Sequence, residues 1–89
     1  MKAIVSVFGT DKKGIIAKVS GKLFELGINV EDISQTIMQN YFTMIMLVDM
    51  TDCEKKFAEV ADTLNALGQE IGVEIRIQTE AIFRTMHRV

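Results

Sequence analysis

The residues of this chain that are capable of chemistry gather at two junctions. Gly9-Thr10-Asp11-Lys12-Lys13-Gly14-Ile15-Ile16 is a polar turn, rich in glycine and charge, between a short apolar run and a pattern of helical spacing. Where a strand turns into a helix, the unpaired amides of Lys13, Gly14 and Ile15 and the helix dipole favour an anionic group such as a carboxylate. Gly14 would let that ligand approach the backbone. A plainer reading is that Thr10 or Asp11 caps the helix while the glycines make the turn, and local sequence leaves both readings open. The second junction is Gly27-Ile28-Asn29-Val30-Glu31-Asp32. There Asn29 offers a side-chain amide for hydrogen bonding, and Asp11 or Asp32 could meet an ammonium group.

Elsewhere the chemistry is sparse. Cys53 stands alone, flanked by Asp52 and Glu54, whose charges oppose thiolate formation. The single histidine, His87, has no partner at metal-ligand spacing, so neither a metal nor a cofactor is expected. No nucleophile elbow, nucleotide-binding glycine loop or acid/base pair of carboxylates stands out, and an enzyme is the weaker class. An acylphosphatase would need an arginine in the first turn, where only Lys12 and Lys13 are cationic.

The elements that must position these junctions follow from periodicity. Lys2 to Phe8 is a β-prone run, and from Gly14 the residues Ile15, Ile16, Val19, Leu23 and Phe24 recur at helical spacing as far as Leu26, with Gly27 as the stop. Ile28 to Gln39 is β-branched but mixed in polarity, as in an edge strand, with an irregularity expected near Glu31-Asp32. Gln39-Asn40 reads as a hairpin turn into Tyr41 to Met50, the most apolar segment and the expected central strand. Thr51-Asp52-Cys53-Glu54 matches a capping box, predicting that a second helix starts there and carries the stripe Phe57, Val60, Ala61, Leu64, Leu67 and Ile71. Gly68 is expected to loosen its last turns. Val73, Ile75 and Ile77 alternate with charged or amide residues as a half-buried strand, and Glu80 to Val89 has the spacing of a short tail helix.

The order βαββαβ predicts an α+β, ferredoxin-like sandwich: a four-stranded antiparallel sheet with two helices on one face, the first and third strands central. With 89 residues, 48% apolar and 25% charged, the chain suits one small globular domain. A formal charge of -2 argues against nucleic acid, and no long apolar stretch calls for a membrane or export, so a cytoplasmic address is expected. Met44, Met46 and Met50 alternate with Ile45 and Leu47, which makes both faces of the central strand apolar and calls for a cover from the tail or a second subunit.

Over about Ala3 to Thr79 the chain resembles the ACT domain family of small-molecule regulatory modules. The resemblance is carried by Val5-Ser6-Val7-Phe8-Gly9, Asp11-Lys12-Lys13-Gly14-Ile15, Leu23-Phe24-Glu25-Leu26-Gly27 and Ile28-Asn29-Val30. Asp32-Ile33-Ser34-Gln35-Thr36, Tyr41-Phe42-Thr43-Met44 and Met86-His87-Arg88 look like the small stand-alone bacterial ACT proteins related to the glycine-cleavage repressor. The resemblance implies an ACT-like domain over residues 1–79 with a tail over 80–89, sensing of an amino acid or related metabolite, and a homo-oligomer, a dimer first. It nominates Thr10, Asp11, Gly14 and Ile15 of one subunit with Ile28, Asn29 and Val30 of another as the ligand site. The alternative is a protein–protein interaction module whose ligand pocket is vestigial.

Overall fold

In the computed structural model, which describes residues 1–10 and 14–82, the elements run β1 (Lys2–Thr10), α1 (Ile15–Glu25), β2 (Asn29–Met38), β3 (Tyr41–Asp49), α2 (Phe57–Ile71) and β4 (Glu74–Thr79). A helical turn opens at Glu80 to Ile82. The tail-helix expectation otherwise falls on residues 83–89, outside the described residues, as does the turn 11–13. The sheet order is β2-β3-β1-β4, all antiparallel, so the two most apolar strands are the central ones. The expected ferredoxin-like architecture is the one observed.

The pleat sorts the central strands by face. Phe42, Met44, Met46 and Val48 of β3 and Ala3, Val5 and Val7 of β1 are buried against Ile15, Val19 and Leu23 of α1 and Val60 and Leu64 of α2. Fully burying side chains of this size is worth roughly 1.5–3 kcal/mol each, so this single layer carries the fold. The opposite face of β3, Thr43, Ile45 and Leu47, is only half-buried.

β2 carries the irregularity anticipated from its polarity. Val30 pairs with Val48 but Asp32 with Leu47, leaving Glu31 as the extra residue of a β-bulge. Lys2 reaches from β1 to hold it, its Nζ 2.6 Å from Glu31 Oε1, and the Ile33 N–H donates to Asp32 Oδ1 at 2.9 Å. One added residue exchanges the faces of everything beyond it. Ile33, Gln35 and Ile37 therefore stand on the helix side, paired with Met46, Met44 and Phe42.

Two expectations fail around α2. The helix does not start at the Thr51-Asp52-Cys53-Glu54 box: its cap is Lys56, without a side-chain capping bond. Thr51 instead donates from its hydroxyl and its N–H to Asp49 Oδ1, at 2.6 and 2.9 Å, and Cys53 N–H closes a turn on Met50 O. A local bond to the preceding aspartate outcompetes the cap. Nor does Gly68 loosen the last turns, since the helix continues to Ile71 and ends at Gly72 in the left-handed conformation. A Cβ on Gly68 would lie 2.6 Å from Val73 O, so this glycine lets β4 return close against the helix.

Candidate functional site

The first junction forms around Gly14, which caps α1 in the left-handed region (φ 83°), a conformation that other residues adopt at a cost. The cap position is thus Gly14 and not Thr10, and the Asp11 reading lies outside the described residues. Nothing lies within 4 Å of where a Gly14 Cβ would be, so backbone angle, not space, is what requires glycine here. The first helical hydrogen bond runs from Lys18 N–H to Gly14 O (3.0 Å). Ile15, Ile16 and Ala17 precede it, so their N–H groups have no intrahelical acceptor. No acidic side chain occupies this first turn to neutralise the positive end of the helix.

Beside these amides opens a cavity of about 500 Å³ lined by Gly14, Ile15, Ile16, Ala17, Gln35, Ile37 and Phe42. Three elements build it. α1 supplies the leading amides without an intrahelical acceptor and Ile16, β2 supplies Gln35 and Ile37, and β3 supplies Phe42 as a buried floor. Sequence reading missed Ile16, Ala17, Gln35, Ile37 and Phe42. The signal was present at Glu31-Asp32, because the bulge turns Gln35 and Ile37 toward the helix.

The second junction lies elsewhere. Asn29 is exposed and pairs with Asp49, whereas Thr10 pairs with Tyr41, eight residues away along β3 and roughly 25 Å at strand rise. Asn29 and Ile28 line a smaller hollow of about 250 Å³ with Phe24, Gly27 and Asp52. Within one chain, then, Thr10, Gly14 and Ile15 stand at one end of the sheet and Ile28, Asn29 and Val30 at the other. Ile15 and Ile28 are buried, so their side chains belong to the core, and the Ile28 N–H is bonded to Leu23 O at 2.9 Å. Val30 is half-buried against that core. Asp11 lies outside the described residues.

Three ion pairs are present among the described residues, that of Lys2 with Glu31 at the second junction. The hydrogen bond to Glu31, and then its charge, hold Lys2 above the usual lysine range. Lys22 pairs with Glu25, and Arg76 with Glu74. No group of three or more His, Cys, Asp or Glu side chains is arranged to hold a metal among the described residues. No described helix is long and apolar enough to cross a membrane.

Comparison with known proteins agrees with this geometry. The profile of the ACT domain matches residues 2–78. The chain belongs to the ACT domain family. It is 55% identical over all 89 residues, the full length of both chains, to a UPF0237 protein of Clostridium acetobutylicum. Among solved structures, an ACT domain protein from Streptococcus pneumoniae superposes with a TM-score of 0.83 at 49% identity, covering 93% of each chain. The regulatory subunit of aspartate kinase from Thermus thermophilus is similar with a TM-score of 0.65 at 29% identity, over 86% of this chain and 50% of that one. This ACT domain therefore shares its fold with a component of a regulated enzyme.

Proposed function

We propose that this ACT domain is a regulatory module that senses an amino acid or related metabolite at an interface between two copies of the chain. The observation that carries the reading is the placement of the two junctions at opposite ends of a ten-residue edge strand, all of it exposed except the half-buried Val30. A long exposed edge is a template for pairing. Antiparallel pairing of β2 with β2 of a second copy, about a two-fold axis, carries Asn29 of one copy toward the Gly14 end of the other. The leading amides of Ile15 and Ile16 then receive the carboxylate, with Gly14 and Thr10 at the rim. Asn29 supplies a hydrogen bond from across the axis, held by Ile28 and Val30, and Asp11 is assigned to the ammonium group. Residues 1–79 carry this module and 80–89 form a tail. Its work is binding, not bond-making, and likeness to a kinase regulatory subunit supports that role.

The test is a thermal-shift screen of the full chain against the common amino acids. Ligand at about 100 times its dissociation constant adds roughly 2.7 kcal/mol. For a domain of this size that is a rise on the order of 10 °C. Asn29→Ala, at an exposed position, should remove most of the shift while leaving the ligand-free midpoint within about 1 °C. A flat panel overturns the reading.

A further inference from the structure

From the lining of the cavity at Gly14 we infer that the ligand carries an apolar side chain. The inference rests on the proposed amino-acid site and narrows its ligand class. Of the described lining residues, Ile15, Ile16, Ala17, Ile37 and Phe42 are apolar, and Gln35 is the one polar side chain; none of these is charged. Ile16 and Ile37 are large apolar side chains left 39% and 60% exposed on opposite walls, while Phe42 and Ile15 close the floor at 5% and 3%. An aliphatic or aromatic group between the walls removes apolar surface from water on ligand and protein together. A charged side chain there would lose hydration without gaining a counter-charge from the described lining, and a hydroxyl would find Gln35 as its one side-chain partner. The volume of about 500 Å³ admits a side chain as large as leucine or phenylalanine beside the main-chain groups.

The bulge at Glu31 produces this selectivity. Were the same residues paired in unbroken register from Val30, with Glu31 opposite Leu47, Ser34 and Thr36 would stand on the helix side in place of Gln35 and Ile37, and the outer wall would be polar. The wall's chemistry thus depends on Glu31 being left out of the pairing at the far end of the strand.

Titration calorimetry of the full chain with alanine, valine, leucine, phenylalanine, serine, aspartate and lysine tests this. Affinity should rise about fourfold for each further buried methylene from alanine to leucine. Serine, aspartate and lysine should bind at least tenfold more weakly than leucine. Ile37→Asn should lower leucine affinity at least tenfold and flatten the alanine-to-leucine series, with circular dichroism checking that this exposed substitution leaves the fold intact. Equal binding of alanine and leucine, or aspartate or lysine binding as tightly as leucine, overturns the inference while the amino-acid site stands. Absence of binding across the series overturns that site and the inference with it.

Discussion

Asp49 accepts two hydrogen bonds from Thr51, one from the hydroxyl and one from the N–H, and these bonds hold its carboxyl below the ordinary value of 3.8. Depression of the folded-state pKa means that ionised Asp49 contributes stability above its unfolded value, and that this contribution is lost as pH falls through the folded one. Asp49→Ala should therefore be less stable than the parent at pH 7, and the two should converge as the pH falls below about 4. Urea unfolding at pH 7, 4 and 2.5 measures it, and a constant gap across the series refutes the assignment. The same pair shows where a motif misleads. Thr51 and Glu54 have the types and spacing of a capping box, but a box also needs the chain to turn helical at once, and Asp49, two residues earlier, gives Thr51 a nearer partner. Gly14 shows the converse, since a glycine after a charged turn was legible as a helix entry, while its role as the cap itself depended on a backbone angle.

At the scale of elements, strands and helices could be read to within a few residues because burial on one face imposes a period on the sequence. What could not be read was close approach between elements distant along the chain. Gly68 looks like a weak point in α2 and is instead where β4 presses on it. Alanine there gains about 1 kcal/mol in helix propensity, but places Cβ 2.6 Å from Val73 O and 3.3 Å from Ile75 Cγ1. Relieving such a contact with backbone costs typically 1–3 kcal/mol, so the clash should win and Gly68→Ala should lower stability by about 1 kcal/mol in denaturant unfolding. A more stable variant would show that the helix, not its contact with β4, sets the demand. The candidate site follows the same logic. The amides at the start of α1 were foreseeable from the turn, whereas Gln35 and Ile37 became wall residues through a bulge whose position was legible and whose consequence for the opposite face was not. Asn29 was legible as a polar residue entering β2; its distance from Gly14 is a property of the whole sheet.

At the scale of the molecule, the exposed edge and the divided site make one prediction together. If a second copy completes the site, ligand and assembly are thermodynamically linked: whatever factor assembly adds to ligand affinity, ligand must add to assembly. Ile33 separates this from direct contact. It lies on β2 between the two junctions, is 40% exposed, and is absent from the lining of both hollows. Ile33→Lys places a cation on the joining edge, where like charges face each other across a two-fold axis, without removing any group assigned to the ligand. Sedimentation should show weaker self-association in this variant, by about tenfold or more, and titration should show ligand affinity reduced alongside it. Raising the protein concentration should restore both, because mass action repopulates the assembled form. A variant that stays monomeric yet binds ligand as tightly as the parent would place the entire site within one chain and remove the second copy from the mechanism.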